Sequence, residues 1–274
     1  MIAMATTGRA GGNGFYASWD GGCLFIGRMG GHTPMHAHYA IQIAFGSEPG
    51  LRFRPAEREE WTDYDGIVIA SRQPHEMDST VPEINAILFV EPETREGRAL
   101  AERFGGGLSP VAREPLGGVV AELFRVWRTE RTAPALAAAA RAVVVALTGG
   151  VEPSVVSDER ILRAIAFINS RIATPLTLEA VAAEAFLSPS RFRHLFVEQT
   201  GMALRPYILW RRFLFVWELL MQGSSLSAAA HAAGFADAAH LTRTCRRTFG
   251  IAPSQMLMAG SAPRAESQPL HSTA

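Results

Sequence analysis

Arginine side chains gather in two short stretches of the chain, "RFRHLFVEQTG" (191–201) and "HLTRTCRRTFG" (240–250). The arginines of these stretches are Arg191, Arg193, Arg243, Arg246 and Arg247. A guanidinium group presents parallel N–H donors that fit the acceptor edge of guanine and the oxygens of a phosphate. Two such stretches, 49 residues apart, predict that the C-terminal part of the chain contacts a polyanion at two places.

Histidines form a second group, with metal-binding chemistry, in the N-terminal half. The stretch "GGHTPMHAHYAIQIAFG" (30–46) places His36 and His38 two residues apart, so that in an extended strand both side chains share one face. Gln42 follows in the same stretch, and "SRQPHEM" supplies His75. Three imidazoles from neighbouring strands could bind zinc, iron or nickel. The alternatives are a small-molecule pocket or simple packing without a metal, because glutamine is a poor metal ligand.

The two basic stretches belong to a longer internal repeat. Ala180–Ala203, shifted by 49 residues, lies on Ala229–Ala252 without a gap. Each copy predicts a short helix of small residues, a tight turn with Phe186 or Phe235 filling the core, and a second helix. This is the helix-turn-helix pattern, in which the second helix enters the major groove of DNA. A connecting helix at roughly 205–222 would hold the two second helices about 34 Å, one duplex turn, apart.

Helical periodicity separates the core residues of each second helix from those that face outward. The residues predicted to face DNA are Ser190, Arg191, Arg193 and His194 in the first copy and Ala238, Ala239, Thr242, Arg243, Arg246 and Arg247 in the second. Among them, Arg193, His194 and Arg243 are the predicted base readers. Arg246 and Arg247, near the helix end, are predicted to contact phosphates. The alternative is a solvated basic face that binds nothing.

Charge is divided unevenly along a chain of 274 residues whose formal net charge is zero. Residues 1–156 contain 14 Arg and 18 Asp or Glu, whereas residues 157–258 contain 11 Arg and 7 Asp or Glu. This division predicts that the C-terminal part, and not the N-terminal part, meets the polyanion. The two cysteines, Cys23 and Cys245, lack CxxC spacing, which argues against a cysteine zinc site and fits a reducing cytoplasm.

Several functional classes have no sequence signal. No apolar run approaches the roughly 18 to 20 residues of a membrane span, and the first residues lack the pattern of a signal peptide. The chain also lacks a nucleophile elbow, a P-loop and a dinucleotide-binding fingerprint. We therefore expect a cytoplasmic protein that has no membrane segment and is not an enzyme of these classes.

A two-domain α+β organisation is predicted from the change of pattern along the chain. Five short apolar runs between Phe15 and Val90 are typical of the strands of a sandwich or barrel, and helical patterns follow from about residue 117. The predicted parts are a disordered N-terminus (1–14), a sensor domain (15–110), a helical dimerisation region (111–150), a linker (151–157), a DNA-binding domain (158–259) and a disordered tail (260–274).

The segments "LSPSRFRHLFVEQTGMALRPYI" and "AAHAAGFADAAHLTRTCRRTFGIAPSQ" resemble the DNA-binding domain of AraC-type (AraC/XylS) transcription regulators. Two departures are Cys245, where the family usually has Phe, and the absence of Tyr-Arg after Pro253. The resemblance covers about a third of the chain. It implies an all-α domain with two helix-turn-helix units joined by a connecting helix, preceded by a sensing or dimerising domain that is often a cupin-like β-barrel. The His36, His38 and Gln42 spacing is similar to the first cupin motif, with Gln in place of Glu.

The resemblance implies a sequence-specific transcription regulator that binds double-stranded promoter DNA, as an activator or as a repressor. The implied partners are RNA polymerase, a small-molecule effector and a second copy of the chain in a homodimer. No cofactor is required, although a divalent metal at His36, His38 and His75 stays open. One alternative is a cupin metalloenzyme, of dioxygenase or isomerase type, tethered to a DNA-binding domain. Another is a structural DNA-binding protein without sequence preference.

Overall fold

The structure, a computed structural model, describes residues 14–28, 31–92, 94–116, 118–151, 156–200, 202–250 and 252–254. Apart from Gly14, the predicted disordered ends lie outside these residues, as does most of the predicted linker. The described residues form a β-rich N-terminal domain followed by a helical C-terminal domain, which confirms the predicted fold class. No helix in the described part of the chain is both long enough and apolar enough to span a membrane.

The described residues of the N-terminal domain contain ten strands in two antiparallel sheets. The strands are β1 (Gly14–Trp19), β2 (Gly22–Gly27), β3 (His32–His36), β4 (Ile41–Gly46), β5 (Leu51–Arg54), β6 (Thr62–Tyr64), β7 (Gly66–Ile69), β8 (His75–Asp78), β9 (Asn85–Val90) and β10 (Leu108–Pro110). The orders are β1-β2-β9-β4-β7-β10 and β3-β8-β5-β6. The predicted closed barrel is not formed, because no ladder of hydrogen bonds among these strands joins one sheet to the other.

The six-stranded sheet is buried on both faces, which explains why its strands are almost continuous apolar runs. The outer face, with Ile43 and Leu88, packs against the helices that follow the strands. These helices are α1 (Arg95–Phe104), α2 (Val119–Thr129) and α3 (Ala133–Leu147), with a 3₁₀ turn at Glu114–Leu116. The inner face, with Phe25 and Phe89, joins a core shared with the four-stranded sheet and the C-terminal domain.

Helix α3 lies against β1 and β2 of its own chain. Its apolar side, including Leu136, Ala140 and Val143, is buried there. The apolar side of α3, which lies in the predicted dimerisation region (111–150), is therefore buried by packing within the chain. A homodimer stays a prediction.

Helices make up the described part of the C-terminal domain. They are α4 (Glu159–Ser170), α5 (Leu178–Glu184), α6 (Pro189–Thr200), α7 (Leu204–Met221), α8 (Leu226–Ala232) and α9 (Ala238–Phe249). The Thr177 hydroxyl accepts a hydrogen bond from the Ala180 N–H and caps α5, and Ser225 caps α8 in the same way from Ala228. Asp237 caps α9 by accepting from His240 N–H at 2.6 Å.

The turn of the second helix-turn-helix unit contains one residue more than the turn of the first unit. The ungapped alignment assumes that the two turns have equal length. Helices α6 and α9 begin and end 49 residues apart, but the caps Thr177 and Ser225 are 48 residues apart. The backbone N–H of Leu187 donates to Ala182, and that of Phe235 donates to Ala230, at the same offset of 48. Leu187, rather than Phe186, is therefore the structural equivalent of Phe235.

The prediction that Phe186 fills the core at the turn is wrong. Phe235 is 4% exposed, whereas Phe186 is 80% exposed. Phe186 has φ +54° and occupies the left-handed position after its helix that Gly234, with φ +76°, occupies in the second unit. This backbone position directs the Phe186 ring outward, where the Arg163 guanidinium lies 5.1 Å from its centroid.

Candidate DNA-binding helices and histidine cluster

Helix α6 presents its predicted DNA-facing residues to solvent. Phe192 and Phe196 are buried on its inner side. The predicted DNA-facing residues on its outer side are exposed: Ser190, Arg191, Arg193 and His194. The Ser188 hydroxyl accepts a hydrogen bond from Arg191 N–H at 3.4 Å at the start of α6. The predicted division between core and surface is present in this helix.

Helix α9 has the same division. Leu241, Cys245 and Phe249 are buried. The predicted DNA-facing residues are exposed (Ala239, Arg243, Arg246 and Arg247) or half-buried (Ala238 and Thr242). The Thr242 hydroxyl donates to the Ala238 carbonyl at 2.7 Å, which satisfies that donor within the helix. Contact between these residues and DNA stays a prediction.

In the described part of the chain, the arginines of the two second helices form no salt bridge with an acidic residue, although the Arg243 charge contributes to lowering the pKa of Asp237. Within the described ranges, salt bridges involve other arginines, such as Arg125 with Glu122 and Arg54 with Glu76. The arginines of α6 and α9 for which the described residues show no salt bridge are Arg191, Arg193, Arg243, Arg246 and Arg247. Unpaired exposed guanidinium groups can bind an anion without first breaking an internal ion pair.

Three of the histidines of the N-terminal half, His36, His38 and His75, form a compact cluster between the two sheets. His36 on β3 is paired with His75 on β8, and His38 follows β3. One ring nitrogen from each lies within 4.8 Å of the others. The ring centroids of His36 and His75 are 4.2 Å apart, and those of His38 and His75 are 5.1 Å apart. The three histidines therefore lie together as predicted, and metal binding by them stays a prediction.

A backbone carbonyl fixes the tautomer of each ring. Nδ1 of His36 donates to Pro34 O at 2.8 Å, that of His38 to Ala40 O at 2.7 Å, and that of His75 to Gln73 O at 2.9 Å. Burial lowers the pKa of His38 to about 4, with a further contribution from His36. Burial also lowers the pKa of His75 well below its ordinary value. These two imidazoles are therefore neutral near pH 7.

The cluster touches the end of the second DNA-facing helix. Gly250, which caps α9 with φ +74°, lies so close to His36 that a Cβ atom there would be 2.5 Å from the ring Cγ. Next to this contact, the rings of Phe249 and Phe89 meet at 5.4 Å, and Phe89 meets His38 at 5.0 Å. The histidines and α9 therefore share one packed region.

Residues 181–259 match a family model described as a helix-turn-helix domain. The C-terminal domain is a helix-turn-helix domain of the AraC type. Over 97 residues the chain is 27% identical to the regulatory protein PocR of Salmonella typhimurium strain LT2. This match covers 35% of this chain and 32% of PocR. Over 79 residues it is 35% identical to the virulence regulon transcriptional activator VirF of Yersinia enterocolitica, covering 28% of this chain and 29% of VirF. The matches span about a third of the length of these relatives.

The whole fold is similar to that of ToxT from Vibrio cholerae O395. The TM-score is 0.50 at 11% identity, and the match covers 87% of this chain and 96% of ToxT. At this level of identity the likeness shows the fold alone. It supports a β-rich domain placed before the AraC-type domain.

A seam between the N-terminal domain and α7 of the AraC-type domain was not predicted. Trp217 of α7 is buried edge-on against Phe25, with ring centroids 5.6 Å apart. Nearby, the buried carboxyl of Glu91 interacts with Arg211 of α7. The sequence predicted α7 only as a connecting helix between the two units, because no local pattern distinguishes a side chain that also contacts another domain.

Glu91→Gln is expected to stabilise the protein increasingly as pH rises. Burial raises the pKa of Glu91 from 4.5 to about 8, against the opposing effect of the Arg211 charge. The folded state therefore binds a proton that the unfolded chain releases, so wild-type stability falls between about pH 4.5 and pH 8. Thermal unfolding at pH 5 and pH 8.5 should show a larger gain for Glu91→Gln at the higher pH. The exposed Glu102→Gln is the control, and an equal gain at both pH values would contradict this interpretation.

Proposed function

We propose that this protein is a sequence-specific transcription regulator that binds promoter DNA through α6 and α9, with binding adjusted by its N-terminal domain. The observation that carries this proposal is a pair of equivalent, outward-facing helices within an AraC-type domain. Both helices carry exposed arginines, and among the described residues none of these arginines forms a salt bridge.

The connecting helix supports reading of two successive grooves. Helix α7 has 18 residues, which corresponds to a length of about 27 Å. Its residues Phe213, Val216 and Trp217 are buried, so the helix is held firmly between the two units. A rigid spacer of this size suits second helices separated by about one duplex turn, ~34 Å.

The DNA-facing residues divide by position along their helices. Arg193 and His194 in α6, and Arg243 in α9, occupy outward positions suited to base edges. Ala238, Ala239 and the Thr242 methyl group suit thymine methyls. Arg246 and Arg247, in the last turn of α9, suit phosphates, as do Ser190 and Arg191 at the start of α6.

Support for regulation comes from the relatives, because PocR is named a regulatory protein and VirF a transcriptional activator. By this analogy the proposed setting is the cytoplasm, the proposed partner is RNA polymerase, and the proposed assembly is a homodimer. The space around His36, His38, Gln42 and His75 is the proposed effector site.

A non-enzymatic role has more support than the cupin metalloenzyme alternative. The named relatives are regulators. The position where the cupin motif has a glutamate is Gln42, an amide that cannot act as a general base at neutral pH.

Arg246→Ala is expected to weaken binding to specific and random DNA by similar factors. A phosphate contact releases counterions irrespective of sequence, so the slope of log K against log salt should decrease in magnitude by about 0.9. Fluorescence anisotropy at several salt concentrations measures both quantities. Arg141→Ala, an exposed arginine on α3, is the control. A loss confined to one DNA sequence would contradict the phosphate role and assign Arg246 to base reading.

A further inference from the structure

The histidine cluster contains a buried nitrogen with no partner. His75 is fully buried, and its Nε2 has no hydrogen-bond partner among the described residues. Leaving a buried polar atom without a partner destabilises the folded protein. His75 Nδ1 already donates to the Gln73 carbonyl, so in the neutral ring Nε2 carries a lone pair. Among the described residues, this buried acceptor therefore has no donor.

A second lone pair in the cluster faces another acceptor. Because His38 Nδ1 donates to Ala40 O, the neutral ring also has its lone pair on Nε2. This Nε2 lies 2.8 Å from Oε1 of Gln42. Two acceptor atoms at this distance repel each other, and a cation bound at His38 Nε2 would reduce this repulsion. Turning the Gln42 amide would satisfy His38 but would leave His75 Nε2 unpaired.

All three rings are oriented in the manner of metal ligands. A histidine that binds a metal commonly donates its other ring N–H to a carbonyl or carboxylate, which fixes the ring and its tautomer. Here the backbone carbonyls of Pro34, Ala40 and Gln73 perform this role. The donors are imidazoles with an amide oxygen nearby, a set that suits Zn²⁺, Ni²⁺, Co²⁺ or Fe²⁺ rather than Mg²⁺ or Ca²⁺.

We propose that His36, His38 and His75 bind a divalent transition-metal ion and that the second DNA-facing helix senses the ion through the contact between His36 and Gly250. The sensing part rests on the proposed DNA-binding function. The metal-binding part does not.

The contact between His36 and Gly250 supplies the coupling. The backbone of Gly250 packs against the His36 ring without room for a Cβ atom between them. An ion that fixes the His36 ring therefore also fixes the surface on which the end of α9 rests. Phe249 and Phe89 extend this contact to the ring of His38.

Helix electrostatics favours the same coupling. The C-terminal end of a helix carries a partial negative charge, and a nearby cation stabilises it. The three imidazoles are neutral donors, so a bound divalent ion keeps its charge beside the end of α9. The ion thus favours the arrangement in which α9 is held against the N-terminal domain. By linkage, a change in DNA affinity on metal binding must equal the change in metal affinity on DNA binding.

Co²⁺ added to the metal-free full-length protein tests the site directly. We expect one equivalent to give the visible d–d absorption of nitrogen-bound Co²⁺, and Zn²⁺ to displace it. His75→Gln and His36→Gln should each weaken Co²⁺ binding by at least about tenfold. His32→Gln, a half-exposed histidine of the same strand β3, should leave it unchanged. The wild-type titration does not depend on whether the variants fold. No stoichiometric Co²⁺ signal from wild-type protein would overturn the proposal.

DNA binding with and without Zn²⁺ tests the sensing part. We expect wild-type affinity for its selected DNA site to change by at least about threefold, and this change to be lost in His36→Gln but kept in His32→Gln. Stoichiometric Co²⁺ binding with unchanged DNA affinity would overturn the sensing part while leaving the regulator function intact. A protein that binds Co²⁺ but binds no DNA, with or without metal, would overturn the proposed function and the sensing part together.

Discussion

Phe235→Ala is expected to lower the free energy of unfolding by about 3–5 kcal/mol, the usual cost of emptying a buried phenylalanine site. Phe235 is buried at the turn of the second unit, with its ring 5.8 Å from Phe213 of α7 and 5.5 Å from His240. Its removal leaves a cavity between α7 and the turn. Chemical denaturation, followed by circular dichroism of the helical domain, measures the loss.

Phe186→Ala is the matched control, because it makes the same chemical change at the position that the ungapped repeat equates with Phe235. The Phe186 ring is exposed and contacts the Arg163 guanidinium, an interaction worth about 0.5–1 kcal/mol at an exposed site. We expect a loss below about 1 kcal/mol. Equal losses for the two variants would contradict the one-residue difference between the turns.

Arg243→Ala is expected to weaken binding to the cognate DNA site by about 1–3 kcal/mol, the value of one bidentate contact to guanine. Arg243 is exposed on α9 and forms no salt bridge among the described residues; its charge interacts with Asp237 only at longer range, so the guanidinium group can turn toward a base. Binding to random DNA should change much less. Competition between cognate and random duplexes at one fixed salt concentration measures the difference.

Arg246→Ala provides the comparison for that measurement, since both residues are exposed arginines of α9. The two variants remove the same charge from the same helix. If Arg243→Ala and Arg246→Ala weaken cognate and random DNA alike, Arg243 contacts phosphate and does not read a base.

Sequence patterns predicted the helical domain closely. Helices α6 and α9 begin 49 residues apart, as the repeat predicts, and the hydroxyls of Thr177 and Ser188 accept backbone hydrogen bonds at the starts of α5 and α6. These features depend on local chemistry, namely hydroxyl caps and a 3.6-residue period, which neighbouring residues alone determine. The exposed faces of both helices followed from the same period.

Features that depend on distant contacts were not predicted. Phe235 is buried and Phe186 is exposed because the turns of the two units differ in length by one residue. The ungapped alignment conceals this difference, because it matches one phenylalanine with the other. The packing of Gly250 on His36 joins residues more than 200 positions apart, and no pattern signals it. The short strand β10 (Leu108–Pro110) forms only because it pairs with β7.

The histidine grouping lies between these cases. His36 and His38 lie near each other, with ring centroids 5.6 Å apart, but His38 follows β3 instead of lying in it, so strand alternation is not the reason. The pairing of His36 with His75 needed the order of the sheet β3-β8-β5-β6, which strand patterns alone do not determine.

Selection of bound sequences from a random DNA pool, using purified wild-type protein, Arg193→Ala and Arg243→Ala, tests the central claim that α6 and α9 read two successive major grooves. The account predicts two blocks of base preference about 10–10.5 base pairs apart, one erased in each variant. A single block, or the loss of both blocks in either variant, would contradict it.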